Sequence, residues 1–167
     1  MAYAQIFISD GYRGACIKQP RVSDPSRSPS APTAGRGRCA LILVVERDPH
    51  VRELELYFLN EAGFAVEFAP DGLAALEIAR RVQPDIVITE VLVPKMDGLA
   101  LCRTIKRDRE LHRAVVLVFS MLAVQARANE AGADAFLMKP LAPRRLVDTV
   151  RQLLALRKTN DRSGEVA

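Results

Sequence analysis

Five short apolar runs alternate with five stretches of helical periodicity, and few folds accept that order. The runs are Ala40–Val45 (ALILVV), Phe64–Ala69, the stretch Ile86-Val87-Ile88, Ala114–Phe119 (AVVLVF) and Ala135–Met138. Phe64–Ala69 alternates in character; the others are continuous and suit strands buried on both faces. Between them, Val51, Leu54, Phe58 and Ala62 recur at helical spacing, as do Ala75, Leu76, Ala79 and Val82, and then Leu101, Cys102 and Ile105. An Ala-rich helix is expected from about Leu122 to Ala131, and a last helix places Leu146, Val150, Leu153 and Leu154 on one face. Asp48-Pro49 suits an N-cap and first helical residue, and Gly63 and Gly132 suit stops. Strands alternating with helices predict a parallel sheet covered on both faces, with right-handed crossovers. The expected class is α/β, a flavodoxin-like (βα)5 doubly wound sheet in the order 2-1-3-4-5.

Open sheets of this kind place their chemistry at the carboxyl ends of the strands. The segment Gln83–Gly98 (QPDIVITEVLVPKMDG) carries a β-branched run that ends on Glu90, so it delivers a carboxylate to that edge. The other strand ends supply Glu46-Arg47, Ser120 and Lys139. Two carboxylates, a guanidinium, a hydroxyl and an ammonium are therefore expected together. Neither GxxxxGK[ST] nor GxGxxG occurs. His50 and His112 lack partners at metal-ligand spacing, and no Ser/His/Asp or Cys/His arrangement can be argued.

Charge is uneven along the chain. Residues 1–38 hold six Lys and Arg against Asp10 and Asp24, a balance of +4, with four prolines, five serines and four glycines. They read as a disordered basic arm. From Cys39 onward 18 basic residues meet 18 acidic ones, which gives no electrostatic case for nucleic-acid binding. The three cysteines show no paired spacing and read as reduced thiols of a cytoplasmic protein. No run approaches the roughly 18 apolar residues of a membrane span, and the N-terminus does not resemble a signal peptide. The expected organisation is an arm over 1–38, one domain over 39–156 and a flexible tail over 157–167.

The residues Leu43-Val44-Val45 before an acid, Pro94-Lys95-Met96-Asp97-Gly98, Gly132-Ala133-Asp134 and Lys139-Pro140 carry a specific resemblance. From about Leu41 to Leu154 the chain resembles the receiver domains of two-component response regulators. That resemblance implies a phosphoacceptor at position 90, a Mg²⁺-binding acid pair at 46 and 47, and phosphate contacts from Ser120 and Lys139. It also implies a switch aromatic at Phe136 and a cis bond at Lys139-Pro140. Any metal would be held by Glu46, Glu90 and the Leu92 carbonyl.

Three positions depart from the family pattern: Glu90 replaces the usual aspartate, Arg47 replaces an acid, and Glu46 is the longer acid. Counting Glu46 and Glu90 against Arg47 and Lys139 gives a pocket of about zero charge. Arg47 is expected to sit in it and compete for Glu90, leaving no cofactor and no metal bound. The reading that follows is a pseudo-receiver, not an enzyme, that docks a histidine kinase or output protein through its fourth helix, fifth strand and fifth helix. A homodimer is compatible with it. The competing readings are a working phosphorelay receiver with a Glu acceptor, and a nucleic-acid-associated protein acting through its basic arm.

Overall fold

The structure, a computed structural model, describes residues 39–140 and 142–163. The basic arm lies outside the described residues. Five strands, β1 (Leu41–Val45), β2 (Ala65–Ala69), β3 (Ile86–Thr89), β4 (Val115–Ser120) and β5 (Ala135–Met138), form one sheet. Its order is β2-β1-β3-β4-β5 and every pairing is parallel, as the alternation of strands and helices requires. The connecting helices are α1 (Pro49–Glu61), α2 (Gly72–Val82), α3 (Gly98–Arg107) and α4 (Gln125–Glu130), and α5 (Pro143–Ser163) follows β5.

Alternation along the central strands divides the core into two layers. Leu43, Val45, Val87, Val116 and Val118 face α2, α3 and α4 together with Ala75, Ala79, Leu101, Cys102, Ile105 and Ala128. Ile42, Val44, Ile86, Ile88, Val115, Leu117 and Phe119 face the other way, onto Leu59 of α1 and Leu146 and Val150 of α5. Each such buried aliphatic side chain contributes about 1.5–3 kcal/mol, which explains why these strands carry no polar interruption.

Three helices depart from expectation. The inward face of α1 centres on Glu55 and Leu59, while Leu54 is 56% exposed. Helix α4 starts at Gln125 instead of near Leu122, after Val124, which gives it no side-chain cap bond. Helix α5 runs to Ser163, into the stretch 157–167 expected as a tail. There Arg157 bonds the Asp85 carboxylate at 2.8 Å and the Asp85 carbonyl at 3.0 Å, tying the helix to the foot of β3.

The turn from β3 into α3 depends on Gly98. A Cβ at this position would collide with the Glu90 carbonyl oxygen and with Thr89 Oγ1, so only glycine lets α3 start this close to the strand end. Gly98→Ala is expected to destabilise the fold by about 1–3 kcal/mol, the usual cost of overpacking. Urea unfolding measures it.

Candidate functional site at the strand ends

The carboxyl ends of four strands converge on one edge. Glu46 follows β1, Glu90 follows β3, Ser120 closes β4 and Lys139 follows β5. The registers Val45↔Thr89 and Ser120↔Met138 bring these residues to the same level. Each central strand is apolar up to its last residue, so the first polar side chains appear only where the sheet ends.

Glu46 is buried and fully engaged. Its Oε1 accepts a hydrogen bond from the Asp48 amide at 2.9 Å, and its Oε2 accepts one from Lys139 Nζ at 2.6 Å. Lys139 thus reaches across the sheet edge from β5 to β1. Its ammonium also lies 4.7 Å from the centre of the Phe119 ring, a distance suited to cation–π attraction.

Glu90 is held from the other side. Its Oε1 accepts from the Val91 amide at 2.7 Å and from the Ser120 hydroxyl in a short hydrogen bond. Ser120 Oγ in turn accepts from the Leu122 amide at 3.1 Å, which links the carboxylate to the β4–α4 connection. Glu90 Oε2 is 3.5 Å from Lys139 Nζ, in ion-pair range, but the lysine's hydrogen bond goes to Glu46.

Arg47 does not join the site. Its side chain is exposed and makes no hydrogen bond or ion pair with the site residues described. The cause is local. The Asp48 amide closes back on the Glu46 carboxylate, and Asp48 caps α1 by accepting from His50 N and Val51 N at 2.9 and 3.4 Å. Both neighbours of Arg47 are committed to that turn, and position 47 falls on its outer side. Those cap bonds hold the Asp48 pKa below the ordinary carboxylate value. The neutral pocket expected from the sequence is therefore corrected, since one of its two cations is outside.

The sequence reading missed Glu55. It projects from α1 into the same cluster, with a side chain only 6% exposed and Oε1 3.3 Å from Lys139 Nζ. Burial raises its pKa; Lys139 opposes the rise, Glu46 and Glu90 add to it, and the result is about 7. Burial works against the Lys139 charge too, yet Glu55, Glu46 and Glu90 outweigh it and hold its pKa above the ordinary lysine value. Three acids now face one lysine. Three minus one leaves a charge of −2, or −1 with a proton on Glu55. The available signal was the spacing from Glu55 to Leu59, which puts the glutamate one turn before a core residue on the same face.

Phe136 is half-buried in β5, opposite Val118, and packs against the core layer that carries α4. The Lys139-Pro140 bond is cis. Beyond the strand ends, Lys95 has a positive φ and pairs with Asp71 at 2.7 Å, pinning the β3–α3 loop to the start of α2.

Residues 42–151 match the family model described as the response regulator receiver domain. Response regulator MprA of Mycobacterium leprae is 35% identical over 127 residues, which are 75% of this chain and 56% of that protein. The DNA-binding response regulator MtrA of Mycolicibacterium smegmatis is 32% identical over 125 residues, 75% of this chain and 54% of that one. This chain therefore spans about half the length of these curated relatives. Among solved structures, the signal receiver domain of a signal transduction histidine kinase from Syntrophus aciditrophicus matches with a TM-score of 0.67. The two are 34% identical, and the match covers 70% of this chain and 91% of that one.

Proposed function

Because this chain belongs to the response-regulator receiver family, we propose that it is a pseudo-receiver whose Glu90 carboxylate performs by itself what a phosphorylated acceptor performs elsewhere. The single observation that carries this reading is the bonding of Glu90. One oxygen already draws in the Ser120 hydroxyl and, through it, the Leu122 amide. No phosphoryl group is needed to engage the β4 end.

The donor set supports the same reading for Mg²⁺, the cation that receivers of this family use. Both Glu46 oxygens and one Glu90 oxygen accept hydrogen bonds. The Lys139 ammonium stands where the carboxylates converge. Two unit charges about 4 Å apart interact by roughly 4 kcal/mol at an effective dielectric of 20, and a divalent ion beside the lysine meets twice that repulsion. Mg²⁺ demands octahedral oxygen ligands. Position 47 offers an exposed arginine where the family pattern has an acid. These residues do not fit the ion. The obstacle is Lys139 held among three acids, not Arg47 as the sequence suggests.

Phosphoryl transfer rests on placement and charge neutralisation. Glutamate places its oxygen on the order of 1 Å beyond the aspartate position, enough to cost about 10²-fold. Acetyl phosphate with Mg²⁺ is expected to leave the intact mass unchanged, whereas a stoichiometric phosphoryl adduct on Glu90 overturns the proposal and favours the Glu-acceptor relay.

Output then runs through docking. The α4–β5–α5 face carries half-buried Phe136 beside exposed Met138, with Gln125 and Arg145 lining the same hollow, and the adjoining β4–α4 connection exposes Met121 and Leu122, a surface suited to a histidine kinase or output protein. Nucleic acid enters differently than expected. MtrA is described as DNA-binding and extends well beyond the part matched here, so charge balance within 39–167 does not decide that question for a whole protein.

A further inference from the structure

Glu55 enters the reading above only as one of the acids around Lys139, yet it is the least conventional group at the strand ends. A carboxylate buried under a helix needs a partner or a proton. Its partner is Lys139, which it shares. The lysine has three N–H donors, and three carboxylates surround it at 2.6 Å (Glu46), 3.3 Å (Glu55) and 3.5 Å (Glu90). The two shorter contacts come from the residue that follows β1 and from α1. The longest comes from β3.

We propose that Glu55 is a positioning residue that holds the Lys139 ammonium on the β1–α1 side, and that a proton taken up by Glu55 releases the ammonium towards Glu90. The consequence is an input that uses a proton where relatives use a phosphoryl group. With Glu55 charged, Lys139 is divided among three acids and Glu90 belongs mainly to Ser120. With Glu55 neutral, Glu46 and Glu90 compete for the lysine alone. A stronger pull on Glu90 acts on Ser120, and Ser120 holds the Leu122 amide at the edge of the docking face. The inference rests on the reading of Glu90 as the group that engages Ser120.

The charged groups facing Glu55 are Lys139 from β5, Glu46 from β1 and Glu90 from β3. On the same side of the sheet α5 contributes the apolar Leu146 and Val150, and β4 contributes the Phe119 ring. Burial already places the proton of Glu55 near neutrality, within the range a cell can vary.

An NMR pH titration of the full chain tests this. In the wild type, the Glu55 side-chain carboxyl carbon, the Lys139 Nζ and the Leu122 amide are expected to shift together in one step near pH 7. In Glu55→Gln the Lys139 and Leu122 steps are expected to vanish, both signals staying at the wild-type low-pH position. Lys139 and Leu122 shifts that persist in Glu55→Gln, or a wild-type Glu55 step that leaves Lys139 unmoved, overturn the proposal. The wild-type titration decides alone if the variant does not fold. Phosphorylation of Glu90 by acetyl phosphate with the coupled step intact defeats the reading of Glu90 alone. A missing step with no phosphorylation defeats only the role given to Glu55.

Discussion

Replacing Lys139 with methionine is expected to lower stability by about 3–5 kcal/mol at pH 8, the penalty for leaving buried carboxylates without their cation. Methionine keeps most of the apolar stem, so the loss reports charge more than volume. Three acids contact the one ammonium, and all four side chains are nearly buried. Removing the lysine leaves Glu46, Glu55 and Glu90 facing one another. The cost is expected to shrink at pH 5, where carboxylates that have lost their partner can take up protons. Adding Glu55→Gln to Lys139→Met should recover part of the loss, because the double variant has one buried charge fewer. Non-additivity of that kind marks residues in one network. Urea unfolding of the four proteins at the two pH values provides the cycle. Equal losses at both, with additive effects, would mean that Lys139 acts through packing.

Glu55→Gln alone is expected to change how stability depends on pH, by about 3 kcal/mol in total. The folded-state pKa of Glu55 is about 7 against 4.5 for the ordinary side chain. Between those values the folded protein keeps a proton that the unfolded chain has released. Stability therefore falls as pH rises from about 4.5 to about 7, and each unit of separation is worth 1.36 kcal/mol. Below that window both states carry the proton, and the group contributes no slope. Glutamine cannot titrate, so the variant lacks this loss. The difference between variant and wild type should favour the variant increasingly from pH 4 to pH 8 and then level off. Parallel curves would show that Glu55 carries no shifted proton.

The fold was legible because its signal is redundant. Four continuous apolar runs and one alternating run, each followed by helical spacing, leave little choice but a parallel sheet, and the observed order follows. The strand-end residues Glu46, Glu90, Ser120 and Lys139 were legible for the same reason, since each ends an apolar run and parallel strands end together. Two side chains at the same edge were not. Arg47 immediately follows a residue that belongs to the site, but Glu46 and Asp48 close a tight turn that puts it outside. A sequence shows the neighbour and not the turn. Glu55 lies nine residues from Glu46, within a stretch of charged and apolar residues where glutamate reads as solvent-facing. Only the rotation of α1 about its axis, set by Leu59 against the sheet, brings it inside. The early start expected for α4 failed too: the helix begins at Gln125, after a Val124 that gives no side-chain cap bond.

The charge arithmetic changed: with Arg47 outside and Glu55 inside, the cluster is net negative where the sequence predicted a neutral one. An arginine in the pocket would have blocked a metal ion by simple repulsion. In the reading proposed above that part falls to Lys139, which stands where the carboxylates meet, with Glu46 bound to it at 2.6 Å.

A Mg²⁺ titration followed by amide NMR tests the central claim most directly. If Lys139 fills the place of the ion, millimolar Mg²⁺ leaves the amides of Asp48, Val91 and Leu122 where they are. Saturable shifts at those amides, lost when Glu46 and Glu90 are both changed to glutamine, would contradict it.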